Sequence, residues 1–114
     1  MPRFKVISAA DAKARVDAGE VTVVDIRDAE SFAASHIPSA CHLSQDSLNS
    51  FLAANDRQRP VIVCCYRGHS SRDAARFLCE QGFAEVYSLE GGFDQWHAVH
   101  PGACAAASDG AAAR

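Results

Sequence analysis

The sequence predicts an α/β fold: a three-layer α/β/α sandwich around a central, mostly parallel sheet of four to five strands. Two observations carry that expectation. Strand signals and helix signals alternate along the chain, and strands separated by helices return to one sheet in parallel. Two strand candidates, Val21–Ile26 and Val61–Cys65, are rich in β-branched residues and almost continuously apolar, as a strand covered on both faces must be.

The elements follow in order. Phe4-Lys-Val-Ile7 is a short strand candidate. Ser8, with Asp11 three residues on, resembles a capping box and opens a helix that Gly19 stops. Val21–Ile26 is the first buried strand. Ser44 caps a helix running through Ala54, with Leu48, Phe51 and Leu52 on one face. Pro60 introduces the second buried strand, Val61–Cys65. Ser70 or Ser71 caps the next helix, which turns Ala74, Ala75, Phe77 and Leu78 inward and ends before Gly82. Glu85–Leu89 is a further strand, and Phe93–Val99 a closing helix.

A chain of 114 residues has room for one packed core and no second catalytic domain. Residues 1–100 read as that domain. Residues 101–114, rich in alanine and without bulky side chains, read as a frayed, flexible tail. The net charge of −3 disfavours nucleic acid or an anionic membrane surface as the main partner. Met1-Pro-Arg-Phe-Lys leads into no apolar segment of a secretory signal, and no apolar run approaches the roughly 20 residues that span a bilayer. A cytoplasmic protein is expected, a monomer or weak dimer.

Cysteine stands at five positions, 41, 64, 65, 79 and 104, with no C-x-x-C pair. Neither a zinc knuckle nor a thioredoxin-type redox pair is indicated, and in a reducing cytosol the thiols stay free. One is singled out by its place. In parallel sheets functional sites gather at the carboxyl ends of the strands, and there the chain reads Cys65-Tyr-Arg-Gly-His-Ser-Ser71. A buried strand ends at a cysteine, a short loop with Gly68 at its centre follows, and a helix begins. Such a loop can curl its backbone N–H groups around the sulfur as a nest, and the helix N-terminus adds partial positive charge. Both favour the thiolate. Gly68 suits a tight turn or a positive φ.

These residues, with two further segments, resemble the rhodanese family, and within it the short single-domain thiosulfate sulfurtransferases of the GlpE type. Asp25-Ile-Arg27, Phe32 and Ser35-His-Ile-Pro-Ser-Ala40 are similar to the family's N-terminal signature. Val63 through Ser71 is similar to its active-site loop, and Leu89-Glu-Gly-Gly-Phe93 with Trp96 to its C-terminal signature. The resemblance implies a ping-pong reaction. The Cys65 thiolate takes the sulfane sulfur of thiosulfate, sulfite leaves, and a persulfide passes the sulfur to cyanide or to a dithiol acceptor such as a thioredoxin-like protein. No metal or cofactor is implied.

Within that reading Tyr66, Arg67, Gly68, His69 and Ser70 form the substrate-binding loop. Arg67 is placed to hold the sulfonate of a dianionic donor, because a guanidinium suits anion recognition. Ser70 serves as cap, loop hydroxyl or both, while Ser71 leans towards capping. His69 reads as a rim residue that contributes its backbone N–H. The resemblance gives Asp25 and Arg27 a supporting role beneath the site. Cys64 belongs on the opposite strand face as a packed small residue. Cys41 and Cys79 read as structural and Cys104 as incidental. His36 and His42 read as hydrogen-bonded structural residues, and Phe93 and Trp96 as core.

Two competing functions have distinct signatures. Cysteine phosphatases and arsenate reductases also cradle a thiolate, but with Cys-x5-Arg. From Cys65 that arginine position is Ser71, and Arg72 falls one residue later, which disfavours them. A non-catalytic rhodanese-like binding module usually lacks the cysteine, which is present here. A persulfide carrier charged by another enzyme would share both fold and nucleophile.

Overall fold

A computed structural model describes residues 3–106. In chain order its elements are β1 (Lys5–Ile7), α1 (Ala9–Asp17), β2 (Thr22–Asp25), α2 (Ala29–Ala34), β3 (Cys41–His42), α3 (Gln45–Ala54), β4 (Val61–Cys64), α4 (Ser70–Glu80), β5 (Val86–Leu89) and α5 (Gly92–Val99). The strands form one five-stranded sheet in the order β1-β5-β4-β2-β3. Every pair is parallel, so the predicted α/β class and parallel sheet hold.

Alternation along β4 divides the core. Ile62 and Cys64 face α1 and α5, in a cluster with Ile7, Ala9, Ala12, Val23, Leu89, Phe93 and Trp96. Val61 and Val63 face α3 and α4, in a cluster with Val24, Phe51, Ala75, Leu78 and Phe83. All four β4 residues are at most 1% exposed, which is why the sequence there is apolar at every position rather than at alternate ones. The central strand is therefore the best-buried element, and whatever emerges from its end has a fixed base.

The helix ends combine expected and unexpected chemistry. Ser8 Oγ accepts the Asp11 N–H at 3.1 Å, as the capping pattern predicts. At α3 the Ser44 N–H donates to Ser47 Oγ at 3.0 Å. At α4 the expectation fails: the residue preceding the helix is His69, without a side-chain cap, and neither Ser70 nor Ser71 caps it. Ser71 instead points into the core, its Oγ 2.7 Å from Ser88 Oγ of β5. The inward face of α4 is Ser71, Ala75, Leu78 and Cys79, an i, i+4, i+7, i+8 set. That stripe leaves Phe77, expected inside, 37% exposed.

The segment between β2 and α3 holds two elements that periodicity does not mark. Helix α2 has no buried residue and is nucleated by Asp28, whose carboxylate accepts the Ser31 N–H at 3.0 Å. Strand β3 is two residues long and pairs with Val24 and Asp25. Cys41, expected to be structural, is exposed there.

Docking does not stop at residue 100, although the tail was expected to begin at 101. Trp96 Nε1 donates to the Ala103 carbonyl at 2.9 Å, and His36 and Ala105 exchange two backbone hydrogen bonds of 2.8 Å each. Ala103 and Cys104 pack against the α1/α5 side of the core. Backbone groups make these contacts, so a sequence of small residues does not announce them. The remainder of the expected tail, 107–114, lies outside the described residues. No helix among the described residues is long and apolar enough to cross a membrane.

Trp96 is fully buried, and its indole N–H ties the C-terminal strap to α5. Trp96→Phe keeps most of the packing but leaves the Ala103 carbonyl without this donor. It should cost about 1–3 kcal/mol, read as a lower urea midpoint at unchanged m-value.

Candidate active site

Strand β4 ends at Cys64, and Cys65 is the first residue beyond it. Cys65 is 2% exposed, and its Sγ accepts the Gly68 N–H at 3.1 Å. The loop therefore folds back over the sulfur within three residues. This needs Gly68, whose φ is +92°. A Cβ there would also stand 2.9 Å from Gly91 N and 3.2 Å from Leu89 O. Helix α4 starts at Ser70, directly after the loop, and brings the positive end of its dipole to the loop's far side.

The other side of the loop rests on the start of α5. Phe93 N–H donates to the Cys65 carbonyl at 2.8 Å and Asp94 N–H to the Tyr66 carbonyl at 3.0 Å. In a trans peptide the N–H opposes the C=O, so the N–H groups of Tyr66 and Arg67 face away from α5. The two groups of α5 that would otherwise be orphans at a helix N-terminus thus orient the loop. Such close approach requires glycine at position 92: a Cβ there would lie 2.6 Å from Cys65 O and 2.7 Å from Arg67 N.

Beneath this layer lies a buried ion pair. Asp25, at the end of β2, and Arg27 are 0% and 6% exposed. Arg27 Nε donates to both Asp25 oxygens at 3.0 and 3.1 Å, Nη2 to Oδ2 at 2.8 Å, and the Arg27 backbone N–H to Oδ1 at 3.0 Å. Nη2 also donates to the Ser35 carbonyl at 2.6 Å. The guanidinium lies over the Phe93 ring, 4.2 Å from its centroid, and 5.9 Å from that of Tyr66. Burial works against the Arg27 charge, but the hydrogen bonds and charge of Asp25 prevail and raise its pKa above the ordinary value. His42 makes a 2.6 Å contact from Nε2 to the Arg27 carbonyl, and His36 a 2.7 Å contact from Nδ1 to that of Phe32. Both histidines are thus occupied structurally.

The remaining loop side chains differ in placement. Tyr66 is 46% exposed, and its hydroxyl donates to Asp28, at the cap of α2. Arg67 is exposed, its Nε 3.2 Å from Asp94 Oδ2. His69 and Ser70 are exposed at the rim. Ser71 is buried and bonded to Ser88, so the position that a phosphatase gives to its arginine is part of the core here, and Arg72 is exposed on α4. Cys64 is fully buried on the opposite face, where burial first, then the Asp25 charge, push its thiol pKa far up.

The structure thus gathers Cys65 to His69 in one loop, sets Ser70 at the start of α4 beside it, and places Asp25 and Arg27 below it. Sequence reasoning missed Asp28, Gly92 and Asp94 as partners of that loop. The Gly91-Gly92 pair directly after a buried strand was the available signal for the second of these; nothing local marks Asp28 or Asp94. Gly92→Ala, at φ +59°, should cost about 2–4 kcal/mol through backbone strain and overpacking. Urea unfolding measures the loss, and the rate of Cys65 alkylation should change with it because the loop must shift.

Comparison with known proteins agrees with this fold. The family profile described as Rhodanese-like domain matches residues 8–99. A thiosulfate sulfurtransferase GlpE of Stutzerimonas stutzeri is 52% identical over 101 residues, covering 89% of this chain and 92% of that protein. A rhodanese-like domain from Anabaena superposes with a TM-score of 0.78 at 24% identity, over 93% of this chain and 80% of its own; that likeness speaks for the fold. A rhodanese-related protein from Thermoplasma volcanium gives 0.72 at 25% identity, over 84% and 93%. The loop held between β4, α4 and α5 falls inside the matched span, and the chain belongs to the rhodanese-like domain family.

Proposed function

We propose that the chain is a thiosulfate sulfurtransferase whose nucleophile is Cys65. The observation that carries this reading is the Cys65 sulfur accepting the Gly68 N–H inside a loop whose carbonyls are turned towards α5. The 52% identity to a thiosulfate sulfurtransferase supports the donor.

The Cys65 thiolate attacks the outer sulfur of thiosulfate. A new S–S bond forms to Cys65, the S–S bond within thiosulfate breaks, and sulfite leaves with the electron pair. The persulfide carries its negative charge on the terminal sulfur, and the loop that presents the Gly68 N–H to the Cys65 sulfur serves as an anion cradle in both half-reactions. An acceptor nucleophile then takes that sulfur and returns Cys65 as thiolate. Cyanide yields thiocyanate. A dithiol of the thioredoxin type takes the sulfur as a persulfide and releases it as sulfide on closing its own disulfide. Attack by a thiolate on a sulfane sulfur requires no general base, which leaves the exposed His69 as a rim residue.

Arg67, exposed beside the nucleophile, binds the sulfonate oxygens of the donor, and Tyr66 and Ser70 complete the rim. Asp25 and Arg27 act at one remove by holding Phe93 and the β2 end under the loop. The active protein works as a cytoplasmic monomer or weak dimer, its catalytic body being residues 1–100 with the segment through Ala105 packed on it.

Treatment with thiosulfate in the absence of acceptor should add one sulfur atom to the Cys65 peptide in mass spectrometry. Cys65→Ala should abolish that addition and thiosulfate:cyanide transfer, while Cys64→Ala retains most of both. Sulfur found on Cys64, or comparable loss in the two variants, would overturn the assignment. For Arg67→Ala, the thiosulfate KM should rise about tenfold or more with a smaller change in kcat, as for loss of a charged hydrogen bond made in ground and transition states alike.

A further inference from the structure

The Arg67 side chain has a protein partner that the reaction does not use. Asp94 touches the active-site loop twice. Its backbone N–H donates to the Tyr66 carbonyl at 3.0 Å, and its carboxylate meets Arg67 Nε at 3.2 Å. The first contact is built into the start of α5 and fixes where the carboxylate begins. The second joins two side chains that are 78% and 61% exposed. Asp94 lies in the first turn of α5, where an acidic side chain interacts favourably with the helix dipole.

We infer that Asp94 is a positioning residue that competes with the donor anion for Arg67, setting both the affinity for thiosulfate and the ease with which sulfite departs. The inference rests on the proposal that Arg67 holds the sulfonate. A guanidinium offers five N–H donors in a fixed fork. Asp94 takes one of them and partly neutralises the charge. A dianion binding at Arg67 must displace or tolerate that carboxylate, and the carboxylate's return to Arg67 favours the departure of sulfite. An exposed pair of this kind is worth little and breaks readily. It therefore lowers anion affinity by a modest factor without blocking the site. The other rim pair cannot serve in this way, because Tyr66 gives Asp28 a neutral hydroxyl and no cationic group is withheld.

The test is steady-state kinetics of Asp94→Asn, Arg67→Ala and the double variant, with thiosulfate and cyanide varied separately and sulfite as product inhibitor. Asp94→Asn should lower the thiosulfate KM about two- to fivefold, the range of an exposed ion pair, and lower the sulfite inhibition constant by a similar factor. The kcat should stay within about twofold, and the effect should shrink at high salt. In the Arg67→Ala background the same substitution should change the thiosulfate KM by less than about 1.5-fold, because no guanidinium is left to compete for. A thiosulfate KM that stays constant or rises in Asp94→Asn overturns the inference, as does an equal fall in the Arg67→Ala background. The two levels of the reading fail separately. If Arg67→Ala alone leaves the thiosulfate KM unchanged, the sulfonate role of Arg67 is wrong. If Arg67→Ala raises it and Asp94→Asn does not lower it, the competition alone is wrong.

Discussion

The hydrogen bond from Phe93 N–H to the Cys65 carbonyl is the constraint on which the site depends. It joins the residue that leaves β4 to the first turn of α5, and it forms only because Gly92 carries no side chain between them. Sheet topology makes the meeting possible. β4 and β5 are parallel neighbours, with Val63 opposite Ser88, so both strands end at the same edge and release their following segments side by side. The β4 loop then turns back over the sulfur while the β5 turn runs beneath it. A parallel order is thus the origin of the cradle, since an antiparallel neighbour would end at the opposite edge of the sheet.

The Asp25–Arg27 pair extends that constraint to the third strand end of the same edge. Removing two charges from water is costly, and a buried pair is weak evidence for stability. Its value here lies in how many elements it registers. Arg27 is bonded to Asp25 at the end of β2, to the carbonyl that closes α2, and by its own carbonyl to His42 of β3. Its flat face covers Phe93, the residue whose N–H holds Cys65. One residue therefore relates β2, α2 and α5 through its guanidinium and β3 through its carbonyl. A lysine would keep the charge but neither the fork nor the stacking face.

Much of this was legible in the chain. Val61–Cys65 reads as a buried strand because each residue is apolar, and the strand lies at the centre of the sheet. The cysteine at its end, the glycine three residues on and the helix after it locate the loop. What failed has a common cause. Ser70 and Ser71 look like caps, yet Ser71 bonds Ser88, a partner seventeen positions away that no local pattern reveals. Helix α2 buries nothing and so leaves no hydrophobic period. Residues 101–105 attach through backbone groups to Trp96 and His36, and small side chains carry no trace of that. Asp28 and Asp94 act on the loop across 38 and 27 positions in sequence. Local chemistry marks elements and nucleophile; long-range polar pairing is set by topology and shows only once the fold is built.

Adjacent cysteines show how far backbone geometry alone can separate two identical groups. Cys64 is the last residue of β4 and obeys its alternation, so its side chain enters the core between α1 and α5. Burial and the neighbouring Asp25 charge both oppose its ionisation, and its Sγ lies against the Cys65 carbonyl, 3.6 Å away, rather than against donors that would stabilise a thiolate. Cys65 stands one residue further, past the last strand pairing, where the chain is free to turn. There the sulfur meets an N–H donor from Gly68 in place of hydrocarbon. The covalent structures of the two side chains are the same, and the sequence separates them by a single peptide bond. The chemical difference comes from where the strand stops. That stop is set by the loop's attachment to α5 and by Gly68's positive φ, so shifting the strand end by one residue would hand the position that meets the Gly68 N–H to the other thiol.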